Sequence, residues 1–361
     1  MDSSNLFPIV QKGKTGYMDQ TGKIIIKPQE GVCCNFAEGL ARVSVRNQRG
    51  YINKTGQYVI DLQDFDFAYD FVEGLAQITI AGNSGYIDKS GQTVIPPQFN
   101  WAKNFSEGLA AVRVDKKWGY IDKTGQFTIS PQFDSADNFA EGFAAVEVAN
   151  QWGYIDSTGQ ILISPQFSRA FDFAEGLAAV RVGKKMGYID KTGQFTISPQ
   201  FDSAHNFAEG LARVKVRNRW GYIDSTGQIL ISPQFSRAFD FAEGLAAVRV
   251  WNLWGYIDKT GKFAIPPQCN EVESFTGGLA KVNIDFNWGY IDKTGRMIAG
   301  EDSLWQIDSR FIPLIPLAWL SKVGNRILYR CGLVPFLLVL ILLPWLSFML
   351  WLESRQESNH P

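Results

Sequence analysis

Histidine and cysteine are scarce in this chain of 361 residues. It has only two histidines, His205 and His360, and four cysteines, Cys33, Cys34, Cys269 and Cys331. So few histidines exclude most histidine-based catalysis and metal binding, and the irregular placement of the cysteines excludes a disulfide framework or a zinc site. We therefore expect neither a metal nor a cofactor.

Charge of one sign is also lacking. The chain has 35 Lys and Arg residues against 36 Asp and Glu, which gives a net charge of −1. A near-neutral chain argues against a bulk electrostatic partner such as DNA, so we expect no nucleic-acid partner. The hydrophobic content of 45% is that of a folded protein.

The chain is dominated by a repeat. A Gly-Tyr pair recurs at a spacing of 34 residues, with a single spacing of 35. Residues 152–182 and 220–250 are identical, which indicates recent duplication of a two-repeat block. The nine glycines of the pair are Gly16, Gly50, Gly85, Gly119, Gly153, Gly187, Gly221, Gly255 and Gly289.

Each unit predicts three short strands. The first, the alternating strand, has apolar residues at every second position, as in Ala178, Val180 and Val182, which is typical of a strand with one buried and one solvated face. The second is the Trp-Gly-Tyr strand, for example residues 152–156, and the third is residues 127–129. Recurrent glycine and proline with period-2 alternation exclude a helical repeat of the same length.

The turn after the Trp-Gly-Tyr strand is well specified. In Asp156-Ser-Thr-Gly159 the carboxylate can accept backbone N–H groups and the glycine can adopt a left-handed φ, as in a type I turn with a glycine bulge. The Ser-Pro-Gln-Phe connector that follows, at residues 130–133, is expected to end the strand because proline lacks an N–H.

These residues resemble the WG-repeat family, also called KWG repeats. The match consists of Trp-Gly-Tyr-Ile-Asp-Lys-Thr-Gly-Gln, then Pro-Gln-Phe-Asp, then Phe-Ala-Glu-Gly-Leu-Ala, over about residues 6–298. The resemblance implies a bacterial tandem β-repeat protein with an interaction role and no characteristic enzymatic activity. The chain departs from the pattern at the Trp position, which is Thr15, Arg49, Ser84 and Met186 in four units.

The predicted fold is all-β, with nine three-stranded meanders over residues 6–298 after an N-terminal tail (1–5). We expect an open, solenoid-like array, because both ends carry whole units and no strand is left to be exchanged; a closed toroid or propeller is the alternative. A single meander is too small to be stable and must bury its face on neighbours.

The C-terminal part predicts one transmembrane helix at residues 331–352. These 22 residues carry no charge, and at 1.5 Å per residue they span about 33 Å, enough for a hydrocarbon core of about 30 Å. A linker (299–330) precedes it, in which residues 311–320 fit an interfacial segment, and a short polar tail (353–361) follows. Lys322, Arg326 and Arg330 before the helix place the repeats in the cytoplasm by the positive-inside rule, as in a tail-anchored protein.

Two sets of residues are candidates for binding a partner. The first is an aromatic ladder of the Trp-Gly-Tyr strands, for a peptide or glycan, with packing between repeats as the alternative. The second is a basic stripe on the alternating strands, for an acidic protein or anionic lipid, with ordinary solvated charge as the alternative. The candidate residues are Trp118, Trp152, Trp220, Trp254 and Trp288, with Arg113, Arg181, Lys215 and Arg249.

No catalytic constellation is present in the sequence. The Asp of each turn and the Glu that precedes a Gly, for example Glu141, recur with the unit, so we assign them structural roles rather than chemistry. Cys33 and Cys269 occupy packing positions. We therefore predict a membrane-tethered, non-enzymatic scaffold that binds an unidentified protein; the alternative is a glycan- or envelope-binding module that uses the Trp and Tyr residues.

Overall fold

The structure, a computed structural model, describes residues 5–45, 48–285 and 287–300. These residues form nine small antiparallel sheets and no helix, so none of them belongs to a helix that could cross a membrane. Residues 301–361, which include nearly all of the predicted linker together with the membrane helix and tail, lie outside the described residues.

The sheets are the nine blades of a β-propeller. Blade 1 has three strands and each later blade has four. The strands of blades 1 to 4 are Phe7–Gln11, Lys14–Met18, Ile24–Gln29; Gly31–Cys33, Leu40–Val45, Gln48–Asn53, Tyr58–Asp61; Phe67–Ala68, Leu75–Ile80, Asn83–Asp88, Thr93–Phe99; and Trp101–Ala102, Ala110–Val114, Lys117–Ile121, Phe127–Phe133.

Blades 5 to 9 repeat the same order. Their strands are Ser135–Ala140, Phe143–Val148, Gln151–Ile155, Ile161–Phe167; Arg169–Ala174, Leu177–Val182, Lys185–Ile189, Phe195–Phe201; Ser203–Ala208, Leu211–Val216, Arg219–Ile223, Ile229–Phe235; Arg237–Ala238, Ala246–Val250, Leu253–Ile257, Phe263–Cys269; and Glu271–Val272, Leu279–Ile284, Asn287–Asp292, Met297–Gly300.

The prediction of three strands per unit is wrong for eight of the nine blades. The segment between units forms a further strand, which pairs with the alternating strand that follows it. We call it the inner strand, because in blades 5 to 7 these strands contact their counterparts in the neighbouring blade, as strands beside a propeller axis do. The last strand of each blade, the outer strand, then lies at the edge of its sheet.

Proline does not end the outer strand, contrary to prediction. In blade 6 this strand continues through Pro199 to Phe201, and a register shift marks a bulge opposite Gly187. Because the strand is at an edge, the missing N–H costs no pairing. A Cβ on Gly187 would lie 2.5 Å from the carbonyl oxygen of Ile197 and 2.7 Å from the nitrogen of Pro199. The glycine of the Trp-Gly-Tyr strand therefore makes room for the bulge in blades 1 and 3 to 8.

Both faces of each blade are buried, so the predicted solvated face of the alternating strand is also wrong. Between blades 4 and 5, Ala111 and Tyr120 of one blade pack against Phe139 and Val146 of the next. The tyrosine hydroxyl donates to a backbone carbonyl of the next blade, as from Tyr120 to Asp137 at 2.7 Å. Blades stacked face to face leave mainly the turns, the outer strands and the first residues of the inner strands to solvent.

The ring is closed, so the predicted open solenoid is wrong. Phe7 of blade 1 packs against Tyr290 of blade 9 with ring centroids 5.5 Å apart, and the Tyr290 hydroxyl donates to the carbonyl of Pro8 at 2.9 Å. Phe7 stands where the later blades have alanine, as at Ala144, and fills space that an inner-strand phenylalanine such as Phe139 fills elsewhere. Closure therefore uses side chains of blade 1 in place of an exchanged strand.

Candidate functional site

The two sets of candidate residues lie side by side. In blade 4 Arg113 is directly opposite Trp118, and in blade 8 Arg249 is directly opposite Trp254. Lys215 and Trp220 are paired in the same way. Directly opposite residues of an antiparallel pair project from the same face. The row lies next to the hairpin between the alternating and Trp-Gly-Tyr strands, at the end of the blade that we call the hairpin face.

The tryptophans are largely packing residues. Trp254 is 6% exposed and contacts Phe239 at 4.9 Å between ring centroids. The side chains of Trp118, Trp152 and Trp220 are half-buried and pack against the clusters between blades. Trp288 is also half-buried, and the ammonium of Lys281 lies 4.9 Å from the centroid of its ring.

The tyrosines of the predicted ladder are not available to a ligand. Tyr120, Tyr154 and Tyr222 are completely buried, and their hydroxyls are bonded to the next blade. Burial raises the pKa of each phenol well above its usual range, so all remain neutral donors. Among residues 5–45, 48–285 and 287–300, the tryptophans and tyrosines of the ladder form no continuous exposed surface.

The inner strands extend the basic row. Arg169 is directly opposite Arg181 in blade 6, and Arg237 is directly opposite Arg249 in blade 8. In blade 4 the exposed Trp101 is opposite Arg113. These inner-strand residues were not predicted from the sequence, because the connector was not recognised as a strand. The recurrence of Ser-Arg-Ala before Phe at two positions 68 residues apart was the available signal.

Cations accumulate on the hairpin face of blades 6 to 8. The hairpins add lysines and arginines to the row, and Asp202, paired with Lys185 at 2.6 Å, is the one acid among them. We call this set the basic sector; its cations are Arg169, Arg181, Lys184, Lys185, Lys215, Arg217, Arg219, Arg237 and Arg249. A net charge of −1 for the whole chain conceals it.

Glutamates connect the blades on the opposite face. Glu141 accepts the N–H of Gly176 in the next blade at 3.0 Å and pairs with Lys191 of that blade at 3.1 Å. Partial burial opposes ionisation, but the hydrogen bonds from Lys191 and Gly176 hold the pKa of Glu141 below its usual value. These residues join one blade to the next, which confirms a structural role for the glutamates.

The turn aspartates also have the predicted structural role. Asp156 accepts the hydroxyl of Thr158 at 2.6 Å and the N–H groups of Thr158 and Gln160, each at 2.9 Å. The Thr158 hydroxyl bond, followed by the backbone bonds, lowers the pKa of Asp156 despite a small opposing desolvation. Within residues 5–45, 48–285 and 287–300, no three His, Cys, Asp or Glu side chains are grouped as a metal site requires.

The blades form a closed ring, and each has the same Gly-Tyr strand followed by the same turn. This arrangement defines a repeat β-propeller. The chain belongs to the WG containing repeat family. The family matches residues 16–48, 50–83, 85–118, 118–152, 152–185, 186–220, 220–252 and 254–285. Each matched segment starts at a Trp-Gly-Tyr strand and crosses into the next blade, which is why eight segments correspond to nine blades.

Among solved structures the fold is shared, at low sequence identity, with one that has a TM-score above 0.5, and weaker similarities accompany it. A eukaryotic initiation factor is 13% identical with a TM-score of 0.59, over 83% of this chain and 96% of that one. Hsv2 of Kluyveromyces lactis with its loop 6CD replaced is 8% identical with a TM-score of 0.40, over 76% and 99%. The extracellular domain of BT4673 from B. thetaiotaomicron is 10% identical with a TM-score of 0.37, over 82% and 57%. No curated protein sequence matches the chain. Identities this low concern the fold alone.

Proposed function

We propose that this protein is a non-enzymatic scaffold that binds an acidic partner protein through the hairpin face of its propeller. The observation that carries the proposal is the basic sector, in which nine cations of blades 6 to 8 face a single acid. Charge concentrated on one surface of a neutral protein steers a complementary partner and fixes its orientation.

Exposed aromatic side chains accompany these charges. Trp251, in the hairpin of blade 8, is 67% exposed, and Trp101 beside Arg113 is 55% exposed. Tryptophan and arginine are the residues most enriched at the energetic centre of protein interfaces. The glycan-binding alternative has less support, because the tyrosines and Trp254 of its ladder are buried.

The position of the interface can be tested by photo-crosslinking in cells with the full chain. A photoreactive residue at Trp251 should give a discrete crosslinked protein, and a control at Ser157, in a turn of the opposite face, should give none. Arg217→Glu combined with Arg219→Glu should weaken the product at Trp251. Equal products from both faces, or none from either, would contradict the proposal.

We further propose that residues 331–352 tether the propeller to a membrane with the propeller in the cytoplasm. The support is the uncharged stretch of 22 residues preceded by Lys322, Arg326 and Arg330. Protease should then spare the propeller in intact cells and cleave it in inverted membrane vesicles. Cleavage from outside the cell would reverse the orientation and make an envelope partner the better candidate.

A further inference from the structure

Two blades carry a pair of arginines where other blades carry at most one. Arg169 and Arg181 are directly opposite each other in blade 6, as are Arg237 and Arg249 in blade 8. Residues so placed have Cβ atoms about 5 Å apart on one face of the sheet, and like charges at that position repel. Such pairs are unfavourable on their own, and an anion between them relieves the repulsion.

No carboxylate of the described residues neutralises these four arginines. Their guanidinium groups are absent from the ion pairs of residues 5–45, 48–285 and 287–300, and the Nε atoms of Arg181 and Arg249 are enclosed without a hydrogen-bond partner. The Arg169 guanidinium lies over the ring of Phe171, 4.9 Å from its centroid. Elsewhere the chain does supply acids, since Arg42 pairs with Asp70 at 2.9 Å.

We propose that each arginine pair is a binding site for an oxyanion of the phosphate or sulfate class. Two guanidinium groups on one face can each donate N–H groups to the oxygens of such an anion, and an anion between them offsets the repulsion. Lys184 and Lys215 lie in the same basic sector and add to the local positive potential.

The sites lie on the surface proposed above for a protein partner, so this inference rests on that proposal. They indicate that the surface recognises phosphate or sulfate groups of the partner. A partner that carries two phosphate or sulfate groups, one for blade 6 and one for blade 8, fits this arrangement best. Direct binding of a small anion does not require the partner, so the two proposals can fail separately. If pyrophosphate does not bind, a crosslink at Trp251 still supports the protein interface. If no crosslink forms, pyrophosphate binding still supports the anion sites.

Blade 5 provides a matched control within the same chain. At the same two positions it has Ser135 directly opposite Glu147. The double substitution Arg169→Ser with Arg181→Glu therefore gives blade 6 a pair that blade 5 already accommodates, and the same change in blade 8 is Arg237→Ser with Arg249→Glu. The reverse change, Ser135→Arg with Glu147→Arg, gives blade 5 an arginine pair.

The test is calorimetric titration of the full chain, in detergent and at low salt, with inorganic pyrophosphate. We expect two equivalent sites per chain, one site after either double substitution and none after all four. The blade 5 variant should bind three. A parallel titration with water-soluble dihexanoyl phosphatidylglycerol, against the phosphatidylcholine analogue, shows whether a lipid headgroup is accepted as well as a free phosphate.

Loss of a site should correspond to at least about tenfold weaker binding at that blade, since each site loses two charge-assisted donors. Unchanged melting temperatures establish that the variants are folded. Pyrophosphate binding that survives all four substitutions, or that never reaches saturation in the wild-type chain, overturns the proposal.

Discussion

The contact between blades 9 and 1, which closes the ring, can be tested by substituting the residue that most other blades have at the same position. Seven blades have a glutamate at the turn between the inner and alternating strands, each with φ between 49° and 55°, whereas blade 9 has Gly277, with φ 60°. Restoring a consensus residue usually stabilises a repeat protein. Here the structure predicts the reverse, because a Cβ on Gly277 would overlap the side-chain amide of Asn5 in blade 1.

Two costs set the magnitude. A residue with a Cβ at φ 60° costs about 1–2 kcal/mol relative to glycine, and moving the exposed side chain of Asn5 out of the contact adds up to about 1 kcal/mol. A domain of this size loses about 2 °C of melting temperature per kcal/mol. We therefore expect Gly277→Glu to lower the melting temperature by about 2–6 °C.

A second substitution should reverse the loss. Asn5 occupies the position of Gly278, whose N–H donates to the carboxylate of Glu243 at 3.0 Å. In the double variant Gly277→Glu with Asn5→Gly, the new carboxylate can reach the N–H of residue 5 and join blade 9 to blade 1. Thermal unfolding followed by circular dichroism measures both variants. If Gly277→Glu raised the melting temperature, as expected at the free end of an open array, the closed ring would be refuted.

Three further predictions concern the repeated contacts. Tyr120→Phe leaves a carbonyl of the next blade unpaired, and urea unfolding should show a loss of about 1–3 kcal/mol. Gly187→Ala places a methyl group against the outer-strand bulge and should lower the free energy of unfolding by about 3 kcal/mol. Gly176→Ala should lower it by only about 1–2 kcal/mol, because Gly176 has φ 82° but open space around it. The opposite order would refute the close approach at Gly187. Because the folded state lowers the pKa of Asp156, its stabilising contribution is complete above the unfolded pKa of about 3.9 and is lost as pH falls through the folded pKa. Asp156→Asn, which copies the natural Asn53 turn, should therefore reduce the loss of melting temperature between pH 6 and pH 3 without breaking the turn.

The sequence was sufficient to predict features whose residues interact with others only a few positions away. The turn at Asp156 to Gly159 has the hydrogen bonds that its residues predict. The alternating and Trp-Gly-Tyr strands were also predicted, because their apolar periodicity and β-forming residues recur in every unit. Such features depend on contacts within a few residues and are visible in a single repeat.

The sequence was insufficient where the cause lies in a neighbouring blade. The inner strand is short and contains polar residues such as Asp137 and Asn138, so nothing in its own composition predicts a strand; its pairing with the alternating strand provides the stability. Closure was missed for a related reason. It depends on single departures from the repeat, Phe7 and Gly277, whose meaning appears only when blade 9 lies beside blade 1.

The same distinction indicates where function resides in this ring. Residues that recur in most blades, such as Tyr120 and Glu141, are accounted for by contacts between blades. The first position of the inner strand does not recur: it is Trp101, Ser135 and Arg169 in blades 4, 5 and 6. It lies at the hairpin face, where side chains are free of the packing that fixes the rest of the unit. The arginine pairs of blades 6 and 8 lie in the duplicated block of residues 152–182 and 220–250, so they are one pair that was copied. The fold places no demand on this position, and the proposed anionic ligand accounts for the pair that was duplicated.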